Sequence, residues 1–181
     1  MNLFILDPDP KIAAQYYQDL HVNKIIIEGS QMLAVAYSLD RLAENDVPRT
    51  QKGTPRKHAY NKHPMTLWVT ENLSNFNWTL DHIYTLCDEY EYRFDKTRHF
   101  TRDFIDWCAK NSPNLPNEPK TMQPQCFGKS FPQCIVENDP VTGYQNYYNI
   151  AKRSFKFGNK TKNATWTKRP IPPFFKENIN E

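Results

Sequence analysis

Glycine is scarce in this chain of 181 residues, which contains five glycines against fourteen prolines. Proline restricts the backbone and glycine frees it, so this ratio predicts fixed corners and excludes long glycine-rich linkers. The four cysteines lack Cys-x-x-Cys spacing, which favours free thiols in a reducing compartment. A zinc site that combines Cys126, Cys134 and a histidine is the alternative interpretation of the cysteines.

Long hydrophobic runs are also missing. No stretch approaches the roughly 18 apolar residues of a membrane span, and the N-terminus, MNLFILDPDP, lacks the basic start of a secretory signal. We therefore expect a cytoplasmic protein with no membrane partner. The net charge is only +3, so any nucleic-acid surface must come from local clusters of cations.

Aromatic side chains are what the chain has in abundance. They make up 14% of its residues and can supply burial that the aliphatic residues do not. Apolar residues recur at spacings of three and four, and Asp9-Pro10, His63-Pro64 and Asp139-Pro140 are typical helix starts. These features predict helices from Pro10 to about Leu20, about Val22 to Leu42, His63 to about Arg93, Thr101 to Lys110 and Asp139 to about Phe155. The prediction is an all-α fold, a single helical domain over residues 1–181 with about five helices and an aromatic core.

Two segments fall outside this helical pattern. Residues 112–138 are rich in proline and break into short apolar pieces, which predicts a long loop that wraps the core or carries function. Residues 158–181 show no clear period and form the predicted irregular basic tail.

A polar stripe interrupts the second predicted helix. Its members are spaced three, four and three residues apart and share one helix face: His21, Lys24, Glu28 and Gln31. Charged groups among isoleucines are costly unless they are paired, and their pKa values shift readily. A lysine there can lose its proton and become a nucleophile, while a carboxylate can stabilise a cation or move protons.

The plainer interpretation of this stripe is structural. Lys24 and Glu28 would then form an ion pair one helical turn apart, worth about 0.3 kcal/mol at a helix surface. His21 would be a core histidine whose hydrogen bonds are satisfied.

Two basic segments point to nucleic acid. Cations bind phosphates, and aromatic rings stack on unpaired bases. The loop at 43–62 and the tail supply the predicted nucleic-acid-binding residues: Arg56, Lys57, His58, Lys62, His63, Lys160, Lys162, Trp166, Lys168 and Arg169. The alternative is a solvated tail whose rings pack onto the helices.

Several segments resemble a widespread set of small, mostly uncharacterised proteins of tailed phages. They span nearly the whole chain: NLFILDPDPKIAAQ, HVNKIIIEGSQML, HPMTLWVTENLSNFNW, CDEYEYRF, GYQNYYN and ATWTKRPIPPFF. This resemblance implies the cytoplasm of an infected host cell and, by itself, little about function.

A shorter similarity is to the phage pyrimidine-dimer DNA glycosylases of the endonuclease V type. It covers about half of the chain and depends on the seven-residue spacing from His21 to Glu28, the EYEYRF segment and the aromatic, basic C-terminus. It implies a small, basic helical enzyme with Glu28 as its catalytic carboxylate. In that family the nucleophile is an α-amine exposed when methionine is removed before a small residue, whereas the large Asn2 is expected to leave Met1 in place.

The mechanism implied by this similarity needs no metal or cofactor. An amine from Met1 or Lys24 would attack the sugar and expel a base, Glu28 would stabilise the developing positive charge and carry protons, and His21 would orient Glu28 or contact phosphate. The alternatives are a non-catalytic phage accessory protein that binds nucleic acid or a host protein, and a phage enzyme that modifies bases or nucleotides.

Overall fold

The computed structural model describes residues 2–157 and 160–176, and this part of the chain is mostly helical with one small sheet. Seven α-helices occur in the described part: α1 Pro10–Gln15, α2 Asp19–Ala34, α3 Leu39–Ala43, α4 Pro64–Val69, α5 Leu73–Phe94, α6 Arg102–Lys110 and α7 Pro140–Ala151. A 3-10 turn spans Pro132–Cys134. Two strands, β1 Ser154–Phe157 and β2 Lys160–Asn163, pair antiparallel. The helical prediction is therefore confirmed in outline, with more and shorter helices than expected.

Helix starts follow the capping residues seen in the sequence. The Asp9 carboxylate accepts a hydrogen bond from the Lys11 amide at 2.7 Å, and Asp139 accepts one from the Thr142 amide at 3.0 Å. At the third start, Nδ1 of His63 accepts from the Met65 amide at 3.2 Å. Each cap is followed by proline, whose fixed backbone angle suits the first helical position. The predicted starts at these three positions are confirmed.

Side-chain caps also explain where two predicted helices divide. Asn72 accepts a hydrogen bond from the Asn75 amide at 2.8 Å and starts α5, so the helix predicted over residues 63–93 is two helices. Ser38 accepts from the Arg41 amide at 3.1 Å and starts α3, which separates it from α2. Serine and asparagine compete for backbone hydrogen bonds and favour caps over helix interiors.

The last predicted helix ends earlier than expected, at Ala151. Residues 154–157 instead form β1, and residues 160–163 of the predicted irregular tail form β2. Residues beyond the hairpin run back over the helices, where Trp166 is 8% exposed. The prediction of an irregular tail is therefore wrong for residues 160–163.

An N-terminal arm positions the candidate site. Residues 3–6 are buried and join one contiguous cluster of buried apolar residues. The hydroxyl of Tyr17 accepts from the Phe4 amide at 2.6 Å and donates to the Phe4 carbonyl at 3.0 Å, which holds the arm against α1. α5 packs against both α1 and α2. The arm therefore reaches the polar stripe of α2 from within the core.

Three further features bear on the predictions made from the sequence about membranes, metals and cysteines. Within residues 2–157 and 160–176, no helix is long and apolar enough to cross a membrane. The same residues contain no group of three or more His, Cys, Asp or Glu side chains placed to hold a metal ion. All four cysteines are free thiols.

Candidate functional site around Glu28

Glu28 lies in the middle of α2 with 17% of its side chain exposed. Its Oε2 accepts a hydrogen bond from the Asn2 amide at 2.9 Å, and its Oε1 lies 3.8 Å from Nζ of Lys24. The carboxylate is thus held by a backbone donor of the arm and paired with a lysine one helical turn away. We use the name Glu28 site for Glu28, Lys24, Lys152 and the backbone nitrogen of Asn2.

Lys152 joins this site from the end of α7. Its Nζ lies 5.0 Å from the ring centre of Tyr147, 5.9 Å from that of Phe4 and 6.0 Å from that of Phe155. Burial lowers the pKa of Lys152, and the negative charge of Glu28 acts in the opposite direction. Lys152 is not among the site residues predicted from the sequence, because nothing in the local pattern distinguishes it from neighbouring cations such as Arg153 and Lys156.

The start of the arm is fixed by a buried tyrosine. The Tyr144 hydroxyl is 2.8 Å from Oδ1 of Asn2 and 2.9 Å from the Pro124 carbonyl, so it can donate to either oxygen. Met1, one of the predicted catalytic residues, lies outside the described residues. Its amine is separated by three covalent bonds from the Asn2 nitrogen that donates to Glu28.

His21 is a core residue. It is 2% exposed, its Nδ1 forms a 2.6 Å hydrogen bond with the Tyr148 hydroxyl, and its ring stacks on Phe4. Burial lowers the pKa of His21 to about 3, and the charges of Lys152 and Lys24 add to this effect. A neutral, buried imidazole cannot contact phosphate at the surface, so that predicted role is wrong and the structural interpretation fits.

Lys24 is placed differently from the sequence expectation. Its side chain is 62% exposed, so the ammonium group stays hydrated while it pairs with Glu28. The expected lysine beside apolar walls exists in this structure, but it is Lys152. The polar stripe itself correctly placed Lys24 one turn from Glu28.

His63 stands near the same carboxylate. Burial lowers the pKa of His63, and the negative charge of Glu28 opposes that shift. Because His63 also caps α4 through its Nδ1, its ring has a fixed orientation. It was predicted as a phosphate contact, and the structure places it beside the Glu28 site.

The predicted nucleic-acid contacts of the tail are engaged within the protein. Trp166 is buried and its Nε1 donates to the Tyr16 carbonyl at 2.9 Å. Arg169 binds Glu89 with donor–acceptor distances of 3.0 and 2.5 Å. Lys168 donates to the Tyr92 carbonyl at 2.9 Å and pairs with Asp95. These three residues tie the tail to the end of α1 and to α5. Because the two cations are already paired with acids and the ring is buried, an external phosphate would have to compete with these internal contacts.

The strand β2 carries the other two tail lysines. Lys162 is exposed and pairs in register with Phe155 of β1. Lys160 pairs with Phe157, and its side chain lies outside the described part of the structure.

The basic loop carries exposed lysines and also forms one wall of a cavity. Lys57 and Lys62 are exposed. Arg56, Lys57 and His58 line a cavity of about 430 Å³ between α2 and residues 50–59. We call this cavity the loop cleft. On α2 it is lined by Ile27, Ser30, Gln31 and Ala34, and not by Lys24 or Glu28.

Comparisons with known proteins do not assign the chain. No protein-family model, curated protein or solved structure matches it.

Proposed function

We propose that this protein is a base-excising DNA glycosylase with strand-cleaving (AP-lyase) activity, in which an amine is the nucleophile and Glu28 transfers protons. The observation that supports this proposal is the Glu28 site. A mostly buried carboxylate, held by the Asn2 amide, lies 3.8 Å from one amine and in the electrostatic range of a second, partly buried one. Together with the resemblance to tailed-phage proteins, the proposal extends to a phage enzyme active in the cytoplasm of an infected cell.

The reaction balances with these groups alone. The amine nitrogen forms a bond to the sugar C1′ while the bond from C1′ to the base breaks, and the base leaves with the electron pair and takes a proton. Glu28 then accepts a proton from the nitrogen and returns one to O4′ as the bond from C1′ to O4′ opens, which leaves an imine. Glu28, again a carboxylate, then accepts a proton from C2′, a C2′=C3′ double bond forms, and the C3′–O3′ bond breaks. The 3′ phosphate leaves with that electron pair, which cleaves the strand.

Lys152 is the amine that the structure favours within the described residues. A nucleophilic amine must be uncharged, and burial lowers the pKa of Lys152, which increases its neutral fraction. The Met1 amine is the second candidate, because an α-amine has an ordinary pKa of about 8 and is bonded through one residue to the nitrogen at Glu28. Lys24 is the third, and its exposure leaves it well hydrated.

DNA would reach the site through exposed cations on the loop. In this proposal the exposed Lys57 and Lys62, together with the half-buried His63, would bind phosphates. A base must leave the stack before an amine can reach C1′, and a damaged pair reduces the free energy that this requires.

Borohydride trapping tests the proposal. The wild-type protein, incubated with duplexes that contain an abasic site or ultraviolet-damaged pyrimidines, should form a reduced covalent adduct seen as a shifted band. Glu28→Gln should reduce the adduct at least 100-fold, since a proton-transfer group contributes about 10²–10⁴-fold. Glu118→Gln, at an exposed carboxylate, is the matched control and should leave trapping unchanged.

Three further proteins identify the nucleophile in the same assay. Lys152→Met, Lys24→Met and a chain with a blocked N-terminal amine should differ, and only the loss of the true nucleophile should abolish the adduct. Lys110→Met, at an exposed lysine, controls for the lost charge. If no lesion gives an adduct with the folded wild-type protein, the glycosylase proposal fails.

A non-catalytic binding protein is the second candidate, and one contact favours it. The hydrogen bond from the Asn2 amide to Glu28 anchors the N-terminal arm, which is a structural role for the carboxylate. In that case Glu28→Gln would lower the free energy of unfolding, and the wild type would show no adduct. Trapping and urea denaturation of the same variant therefore distinguish the two candidates.

A further inference from the structure

The loop cleft is partly open to solvent, and none of the Glu28-site residues lines it. One wall is a face of α2 formed by Ile27, Ser30, Gln31 and Ala34. The other wall is residues 50–52 and 54–59, and Phe100 and Thr101 close one side. Its volume of about 430 Å³ falls within the range of small-molecule sites and is far too small for a duplex.

The loop wall is held in place at both ends. The Thr50 carbonyl accepts from the Gly53 amide at 2.8 Å, and the Thr50 and Thr54 hydroxyls lie 2.8 Å apart. Gly53 has a φ of +74°, a conformation that side-chain-bearing residues rarely adopt. At the other end, Nε2 of His58 is 2.8 Å from the Tyr37 carbonyl. The cleft is therefore formed before any ligand arrives, which lowers the entropy lost on binding.

The polar lining of the cleft is cationic. Lys52, Arg56 and Lys57 lie on the loop wall with hydroxyl groups nearby, and no residue that lines the cleft in the described chain is acidic. This is the opposite of the tail, where Lys168 and Arg169 are each paired with a carboxylate. An anionic ligand would meet uncompensated positive charge in the loop cleft.

Arg56 is the most specific feature of this wall. Its guanidinium lies 4.0 Å from the ring centre of Phe104, and its Nε is buried without a hydrogen-bond partner. It makes no hydrogen bond or ion pair with any residue of the described ranges, whereas Arg41 and Arg98 each bind carboxylates. Burial lowers the pKa of Arg56 to about 10, so the group remains charged near neutral pH. A planar, charged guanidinium group without a carboxylate partner is suited to bind a phosphate group.

The remaining walls suit a flat apolar group. Ile27 and Ala34 provide aliphatic surface, and Phe100 is 47% exposed at the edge of the cleft. An exposed aromatic ring beside a cationic wall is the arrangement that stacks a base while cations bind its phosphate. Gln31 and the threonine hydroxyls can hydrogen-bond the polar edge of such a base.

We propose that the loop cleft binds a single nucleotide, with the phosphate at Arg56 and Lys57 and the base between α2 and Phe100. The same chemistry can come from a free mononucleotide or from one nucleotide of a single strand. This site is separate from the Glu28 site and does not depend on the glycosylase proposal.

Calorimetric titration of the whole protein tests this site. The four deoxynucleoside 5′-monophosphates, the matching nucleosides and inorganic phosphate are the probes. The expected result is saturable one-to-one binding of at least one monophosphate, at least 10-fold tighter than its nucleoside or phosphate alone. Arg56→Met, which keeps the contact with Phe104, should weaken it at least 10-fold, and Arg49→Met, in the same loop outside the cleft, should change it less than 2-fold.

Further measurements distinguish a free mononucleotide from one nucleotide of a single strand, and they keep the test valid if one variant misfolds. Lys57→Met alters an exposed side chain and should weaken binding about 3-fold even if Arg56→Met does not fold. A five-nucleotide single strand that binds more tightly than the monophosphates, and is equally sensitive to Arg56→Met, identifies a strand as the source. Glu28→Gln should leave monophosphate binding unchanged. The absence of saturable binding, or binding insensitive to both cleft variants, would overturn the proposal, as would phosphate that binds as tightly as every monophosphate.

Discussion

The two lysines of the Glu28 site show how surroundings decide what one side chain can do. Lys24 is on the surface and 62% exposed, whereas Lys152 lies among three aromatic rings that exclude water. An ammonium group loses hydration when it is buried, so its charged form becomes less favourable. Burial also makes the charged form of the histidines less favourable, and this effect should give the stability of the protein a measurable pH dependence.

Acid should destabilise the protein through its buried histidines. Burial lowers the pKa of His21 to about 3 and those of His82 and His99 to about 4. Between pH 6.5 and about 4 the unfolded chain therefore binds protons that the folded chain does not, and stability falls as pH falls through this window. Urea denaturation at pH 7, 6 and 5 should show a steadily falling midpoint.

A substitution at His82, which is fully buried, isolates this effect. The free energy of unfolding should decrease between pH 7 and pH 5 in both proteins. In His82→Gln that decrease should be smaller than in the wild type by on the order of 2 kcal/mol. Thr79→Val changes a neighbouring buried position that does not titrate, so it should lower stability equally at every pH. A His82→Gln protein with the wild-type pH dependence would contradict the assignment.

At the scale of elements, single polar side chains decide where helices begin. Asn72 and Ser38 interrupt patterns whose apolar spacing continues through them, because a cap satisfies amide groups that the first helical turn leaves without partners. Asp139 caps the start of α7 in the same way. This helix carries Tyr144 and Tyr147, and Lys152 is its C-cap. The position of the Glu28 site therefore depends on a cap at the far end of α7.

Removing the α7 cap should cost about 1 kcal/mol of stability. The Asp139 carboxylate accepts from the amide and the hydroxyl of Thr142, and both bonds are lost in Asp139→Ala. Asp139→Ser keeps an acceptor at the cap and should retain most of the stability. Urea denaturation measures the difference, and hydrogen exchange at the Thr142 amide reports the cap directly. Equal stability of the two variants would show that the cap is unimportant.

At the scale of the whole molecule, a buried ionic network joins segments that are far apart in sequence. Arg93 is 1% exposed and donates to Glu89 at 2.7 Å, to the Tyr17 carbonyl at 2.6 Å and to the Gln15 carbonyl at 2.7 Å. Arg169 reaches the same Glu89 from the tail. The network therefore connects the end of α1, the end of α5 and the tail in one place.

Burial predicts unequal importance for two neighbouring tail cations. Arg169→Met leaves Glu89, 3% exposed, with one fewer donor and should cost about 2 kcal/mol. Lys168→Met removes a pair whose acid, Asp95, is 81% exposed, and should cost less than about 1 kcal/mol. The urea denaturation midpoints of the two variants measure these two losses of stability. Similar losses in both would mean that the tail is held by its aromatic contacts and not by Glu89.

Helix starts were the most predictable part of the fold, because a cap and a proline act on residues only two or three positions away. The pairing of Lys24 with Glu28 was predictable for the same reason, since residues four apart are neighbours on a helix. The helix divisions at Ser38 and Asn72 and the hairpin were not foreseen, and the packing of Trp166 onto the helices was only the alternative interpretation of the tail. In each of these, a hydrogen bond or a tertiary contact overrode an apolar pattern that also suited a longer helix or a free tail.

The sequence by itself determined that the chain is mostly helical, where several helices begin, and that a carboxylate and a lysine share one face of α2. Only the tertiary structure decided that the Asn2 amide donates to that carboxylate, that Lys152 lies within its electrostatic range and that His21 is a buried core residue. It also decided that Arg56 lines a cleft without an ion pair to any described residue. Periodicity and capping act over a few residues of one chain segment. The positions of Asn2 and Lys152 relative to Glu28 depend on how the arm and α7 pack in the core, which local spacing does not encode.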